Sequence, residues 1–522
     1  MGGIVKYSVI FTLFCAAFSP VIAQNDTSVS NIEGTNICRD TNNSCTCDIN
    51  VHQPTIACKG MGLHVMYEQS DFQATFDGEN LPENATIDLR FDENYLINIP
   101  RFAPMPVVFL VLRHNLISSI DDFAFAELKQ LDYLDLSNNN LSGHSLKENV
   151  FKSAFNSSGG YFPSPLKHLN LSHNYIHTLN PKAFDPLTDL RTLDLSHNPI
   201  KTLSGTSSMT IASMMKLEFL GLANCGIKEM HDGMLHSLNM LSSLDLSGNL
   251  FVDVPRELQY THVLQVLKLD KNKFEVLSEE SFLDLGYLED LSLNYNEKLI
   301  KIEQGTFGHL RNLTKLELSF CKRLEQLSDG AFQGLVEKGK EDVEWKLTQI
   351  YLNDNGLSQI DEALAPWDYV DYVDIRNNPF RCDCNLEWMV KNLMPKIEKM
   401  KTGLTNDINC AQPKAMRGRP ITKLMLEPDL FSKCRDSKDE LYPDEITIIE
   451  SSSYRAAGIT ILVIGILLIV IGVSVIGFLV IKRRAIAKAL VAHQEIRYER
   501  ADSDDDGIGS MHSGKNRRPN AF

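Results

Sequence analysis

Leucines recur along most of this chain in pairs one residue apart, and a polar amide follows three residues after each pair. Residues 190–200 read L-x-x-L-x-L-x-x-N-x-I, and the pattern returns at 131–141, 166–176, 241–251, 264–274 and 347–357. The x-L-x-L part alternates apolar and polar with period two, which marks a short strand with one face buried. Its leucines point into a core and its x residues to the open side. The Asn stands where the strand ends; turned inward, its amide can satisfy backbone groups left unpaired by a bend. The Asn position runs through Asn115, Asn139, Asn174, Asn198, Cys225, Asn249, Asn272, Asn296, Cys321, Asn355 and Asn378. Successive intervals are 23–27 residues, except for one of 35 and one of 34. An irregular earlier rung is read through Ile87 and Leu89, with Asp92 in the Asn position. That makes about twelve rungs; at about 4.8 Å per strand the sheet is on the order of 50 Å long.

A repeat of this consensus and period is identified as a leucine-rich repeat. No single unit can bury its apolar side, so neighbours must stack. The resemblance implies an α/β-type solenoid, a horseshoe with short parallel strands on its concave face. Phe125, Phe184, Phe282, Phe307 and Phe332 recur on the returning side, so Phe packs this array as well as Leu. The two long intervals hold polar inserts around Asn156 and around Glu337, expected as surface loops.

The ends differ from the array. Residues 1–23 read as a signal peptide: Lys6, then an apolar run at 9–18, then Val21-Ile22-Ala23 for cleavage. Residues 24–83 carry Cys38, Cys45, Cys47 and Cys58; the repeats occupy 84–380; residues 381–434 carry Cys382, Cys384, Cys410 and Cys434. Cysteines grouped at both flanks indicate disulfides and an oxidising compartment, with zinc as the rival use. Cys225 and Cys321 stand four rungs apart, too far to bridge, and read as buried structural thiols. Residues 435–455 form a polar stalk. The 26 residues 456–481 hold no charge and suffice to span a bilayer, and Lys482-Arg483-Arg484 follows, which places residues 482–522 in the cytoplasm as a disordered tail. Gly458, Gly465 and Gly472 make one stripe on that span, a route to homo-association.

Both cysteine groups resemble the caps of extracellular leucine-rich-repeat proteins. That resemblance implies Cys38–Cys47, Cys45–Cys58, Cys382–Cys410 and Cys384–Cys434, where spacing alone leaves the pairing open. Trp388 and residues 386–393 look like the helix of the C-terminal cap. The segment 410–419 more narrowly resembles the trophoblast glycoprotein family, and this implies a co-receptor that restrains Wnt signalling.

Charge narrows the partners. The whole chain carries −16, and its expected ectodomain, 24–455, carries −20. Such a surface disfavours nucleic acid. Against that background, eight basic residues and two acidic ones fall between Lys391 and Lys423, a patch suited to an acidic partner, a sulfated glycan or a membrane surface. Ser-His-Asn recurs at 172–174 and 196–198, but as repeat positions 24 residues apart; no nucleophile elbow, Walker loop or HExxH is present. The reading is therefore non-catalytic, without cofactor or metal.

By register, one outward row runs from Phe109 and Tyr133 through Phe219 to Tyr372, and the next holds Asp135, Asp194, Asp245 and Tyr351. The core demands none of these aromatics and carboxylates, so they are the candidate ligand-binding residues. Sequons stand at Asn25, Asn42, Asn84, Asn140, Asn156, Asn170 and Asn312, and Ser503 lies in an acidic run suited to phosphorylation. Together these features predict a glycosylated single-pass type I protein of the plasma membrane. It is a receptor or adhesion protein for an extracellular protein ligand or another cell-surface protein. A modulator of another membrane receptor is the alternative.

Overall fold

The structure is a computed structural model, and it describes residues 36–39, 45–48, 53–68, 70–72, 74–75, 86–153, 160–203, 205–335, 345–400, 403–426, 431 and 482–484. Two compact units divide at Leu441/Tyr442. Of the second unit only 482–484 are described, in an exposed helical turn. The leader, the stalk, the span 456–481, its glycine stripe, the rest of the tail and both insert centres lie outside the described residues. Among the described residues no helix is long and apolar enough to cross a membrane.

One fourteen-stranded sheet organises the first unit. Thr46–Asp48 pairs antiparallel with Thr55–Ala57, which then pairs parallel with Ile87–Arg90. From there twelve strands run parallel in strict chain order to Tyr372–Asp374. Chain order follows from the repeat: each turn of the coil delivers the next strand beside the last. The inward column from Leu110 to Leu134, Leu169 and onward to Ile350 and Val373 aligns residue on residue and is fully buried.

The amides join these coils. Asn139 Nδ2 donates to Leu136 O at 3.0 Å in its own rung and to Leu112 O at 3.0 Å in the rung before. Its Oδ1 accepts the Ile117 N–H at 3.1 Å. Asn174, Asn272 and Asn378 repeat the arrangement. Cys225 and Cys321 keep half of it: their thiols donate to Leu195 O at 3.3 Å and Leu293 O at 3.4 Å. A thiol offers no second amide function, and beside Cys225 the Ile200 N–H turns back to Asn198 O. Both thiols are free, and burial pushes each up to about 12.

The first rung corrects the sequence reading. Leu89 pairs with Leu110, so the next inward residue is Phe91, and the ladder starts at Asn94 and not at Asp92. Asn94 Nδ2 donates to Phe91 O at 3.0 Å and Cys58 O at 2.7 Å, and its Oδ1 accepts from Met61 and Leu63. A register error of two residues preserves the inside–outside alternation, so the pattern could not reveal it.

On the returning side the phenylalanines stack in two runs. Phe102, Phe125, Phe151 and Phe184 follow at centroid distances of 5.9–6.2 Å. Phe282, Phe307 and Phe332 follow at 5.9 and 5.3 Å and end on Trp345. Between the runs the helix Gly205–Ala212 supplies Ile211 instead. At the ends, disulfides join Cys38 to Cys47, Cys45 to Cys58 and Cys382 to Cys410. Cys384 is also disulfide-bonded, and Cys434 lies outside the described residues. Trp388 Nε1 donates to Ile360 O at 3.1 Å, and the helical stretch continues past 393 through Met394–Met400.

Candidate protein-binding face

The outward rows emerge in the predicted register. Phe109 aligns with Tyr133, Tyr133 with His168, and Phe219 with Thr192 and Ser243. Phe109, Tyr133, Phe219, Tyr351 and Tyr372 are all half-buried. Phe219 stands on the sixth of the twelve parallel strands, and the other aromatics gather toward the two ends of the sheet. Phe109 and Tyr133 lie 5.4 Å apart with His168 6.3 Å beyond, and Tyr351 and Tyr372 lie 4.9 Å apart. Burial raises all three tyrosine phenols, so they stay neutral hydrogen-bonding groups at physiological pH.

Beside the C-terminal aromatic pair the face is ionic. Lys315 pairs with Asp290 at 3.2 Å and with Glu317. Asp270 accepts from Ser292 Oγ at 2.6 Å and the Asn294 N–H at 2.7 Å. Burial raises the Asp270 carboxyl, and nearby Glu317 and Asp245 push the same way. Burial works to raise Glu317 too, but hydrogen bonds from Lys315 and Asn294 outweigh it and hold that carboxyl low.

The carboxylates of the second row also have a local task. Asp135, Asp194 and Asp245 each accept the N–H of the serine two residues on, at 2.9 Å. This closes the bend after the strand. Asp135 is only 5% exposed, so it leaves the set of ligand-contacting candidates, while Asp194 and Asp245, with the same turn bond, remain partly open. Asp194 also limits its neighbour: a Cβ at 221 would collide with its Oδ1, so the strand beside it carries Gly221.

A third feature was not read from the sequence. The residue before each ladder position has positive φ, as at His114, Asn138, His173, His197, Lys271, Tyr295 and Phe320. These side chains form a rim along the face. His173 and His197 stack at 3.9 Å, and Tyr295 and Phe320 stack at 4.5 Å with their planes 4° apart. The Lys271 ammonium lies 5.3 Å from the Tyr295 ring centre. Burial, then the neighbouring His173, lowers the His197 imidazole. Asn, Asp, His and Gly recur at this position, and they are the residues that tolerate left-handed backbone, so a signal was present. Tyr295 and Phe320 are bulky exceptions held there by the repeat and by their mutual stacking.

Comparison with known proteins finds the same repeat. A family model described as leucine rich repeat matches residues 108–154, 155–200 and 262–322, and a second of the same description matches 189–214. Lumican of Coturnix japonica is 27% identical over 322 residues, covering 58% of this chain and 82% of its own. By these matches the chain carries leucine-rich repeats. The leucine-rich repeat transmembrane protein FLRT2 of Mus musculus is 30% identical over 246 residues, 42% of this chain, and the match spans 35% of FLRT2. A solved leucine-rich-repeat protein of Leptospira interrogans aligns with a TM-score of 0.47 and 20% identity, over 64% of this chain and 80% of that one.

Of the sequons, Asn140, Asn170 and Asn312 are described. Asn140 is exposed beyond the bend, Asn170 stands on the strand face, and Asn312 Oδ1 accepts from Lys346 Nζ at 2.6 Å. Asn25, Asn42, Asn84, Asn156 and Ser503 lie outside the described residues. In the basic C-terminal patch, Lys391 pairs with Glu387 and Lys396 donates to Trp367 O, whereas Lys399, Lys414, Arg417 and Lys423 are exposed.

Proposed function

We propose that this chain is a glycosylated receptor or adhesion protein of the plasma membrane, held by residues 456–481 with its N-terminus outside. It binds an extracellular protein, free or on a cell surface, through the strand face and performs no catalysis. The observation that carries this reading is the set of five aromatics that stand half-buried on the outward side of a rigid sheet, of which Tyr372 alone also packs against the core. Rigid aromatic side chains lose little conformational freedom on binding and bury large areas, so they anchor protein interfaces. The likeness to FLRT2, whose name describes a transmembrane protein, supports membrane attachment.

The test displays the full chain on cells and screens secreted and cell-surface proteins. Alanine at Phe109, Tyr133, Phe219, Tyr351 and Tyr372 is then compared with wild type. Loss of a hot-spot anchor weakens binding by about 2 kcal/mol or more, roughly thirtyfold. Unchanged affinity in all five variants rejects the face. A second reading, a co-receptor that modulates a receptor in the same membrane, draws on the 410–419 sequence. Proximity labelling that recovers a neighbour in the same membrane, with no soluble ligand captured, favours it.

A further inference from the structure

We infer that Asn170 carries an N-linked oligosaccharide that covers the N-terminal end of the strand face and confines a protein partner to the strands beyond it. The inference rests on the reading of the chain as an exported protein that binds through this face.

The geometry of the bend carries the argument. Asp135, Asp194 and Asp245 supply one oxygen to the N–H two residues on, at 2.9 Å. Asn170 does the same: its Oδ1 accepts from the Ser172 N–H at 3.0 Å and from Ser172 Oγ at 2.7 Å. The turn therefore asks only for an acceptor oxygen, and a carboxylate provides it in the adjoining rungs. At position 170 the amide adds a nitrogen the fold does not use. Among the described residues Nδ2 donates to no partner, and it is not among the buried unsatisfied atoms. With Oδ1 held against the bend, Nδ2 faces the open side. Asn170-Leu171-Ser172 is an acceptor sequence for oligosaccharide transfer. The donor is a lipid-diphosphate-linked oligosaccharide. The Nδ2–C1 bond forms, the bond from C1 to the phosphate oxygen breaks, and the lipid diphosphate leaves as the amide gives up one proton.

Position decides the consequence. Asn170 lies on the fourth of the twelve parallel strands, aligned with Asp135 on one side and Asp194 on the other. At about 4.8 Å per strand, Tyr133 is roughly 5 Å and Phe109 roughly 10 Å from its rung, while Tyr351 and Tyr372 are roughly 34 and 38 Å away. A branched, hydrated oligosaccharide rooted there reaches the Phe109–Tyr133 pair on one side and Phe219, two strands away on the other, and leaves the Tyr351–Tyr372 pair open. Asn140 and Asn312, the other described sequons, lie outside the strands of this sheet and leave it free.

The test needs no partner. The full chain is expressed in mammalian cells, and glycopeptide mass spectrometry reads occupancy at Asn170. Tyrosines are then labelled with a bulky polymer-linked aryldiazonium reagent in wild type, Asn170→Asp and Ser172→Ala. Asp suits this bend in the adjoining rungs, so Asn170→Asp removes the acceptor and keeps the turn. Endoglycosidase trimming of the wild-type chain gives the same comparison with no substitution. The expected result is an occupied site and severalfold more labelling of Tyr133 once the glycan is gone, with Tyr351 and Tyr372 unchanged. An unoccupied Asn170, or an occupied one whose removal leaves Tyr133 labelling unchanged, overturns the inference. Either failure leaves the partner screen untouched, and a failed screen leaves this result standing.

Discussion

The inward column and the outward rows of this sheet are built from the same three-residue strands, yet they follow different rules. Inward, the rungs repeat one solution: an apolar side chain and an amide that donates to backbone carbonyls of its own coil and the coil before, with the thiols of Cys225 and Cys321 keeping the bond to the coil before. Outward, adjacent rungs follow no common rule: Thr192 stands between His168 and Phe219, and Asp290 between Val266 and Lys315. The interior must satisfy backbone groups that water cannot reach. The face is wet, so only partners and local turns constrain it. Stability is thus concentrated on one side of each strand and recognition on the other.

The sharpest way to break this contrast is inside. Asn272 serves Leu246 O, Leu269 O and the Phe251 N–H. Asn272→Ala leaves the buried Phe251 N–H unpaired, while Leu246 O keeps Asn249 and Leu269 O keeps Asn296 as donors; with one orphaned group at about 1–3 kcal/mol and two weakened bonds, denaturant titration should show a loss of about 2–3 kcal/mol. Outside, Tyr351→Ala with Tyr372→Ala should lower stability by only about 1 kcal/mol, the worth of one aromatic pair, while binding falls by more. Equal stability losses at the two places would erase the contrast.

Chemical reactivity sharpens it further. Cys225 and Cys321, buried and held up to about 12, should resist iodoacetamide in the folded chain and react once denaturant opens the coil. Labelling of either in the native state would show that the interior opens locally.

The smallest effect concerns a face carboxylate that burial disfavours in its charged form. Asp270 is raised in the folded state, so across the window from its ordinary value near 3.8 up to its raised value the folded chain holds more proton than the unfolded one. Stability from this group therefore declines as pH rises through that window. A side-chain amide at this position keeps an acceptor for Ser292 without the charge, so Asp270→Asn should flatten this decline and raise the melting temperature slightly at neutral pH. A steeper pH dependence in that variant would refute the assignment.

Most of the architecture was readable because a solenoid repeats a local rule. The spacing from Asn115 to Asn378 placed eleven rungs, and the period-two strands placed Phe109, Tyr133, Phe219, Tyr351 and Tyr372 on one face. The first rung escaped because Phe91 stands where Leu was sought and a slip of two keeps the alternation intact. The rim at His173, His197, Tyr295 and Phe320 escaped for another reason. A backbone conformation leaves only a weak preference in the residue type, and ring stacking joins residues about 24 positions apart.

The amino-acid order by itself determined the repeat, the inward column, the amide ladder and the members of each outward row. All of these depend on spacing within one coil. Tertiary structure alone decided which outward residues remain open. Asp135 turned out buried although Asp194, with the same neighbours in sequence type, stays partly exposed. It also decided that the strand beside Asp194 has no room for a Cβ at Gly221, and that Asn170 offers a free nitrogen where its counterparts offer only oxygen. Exposure and free hydrogen-bonding groups belong to contacts between coils, and the stacking of one rung on the next sets them.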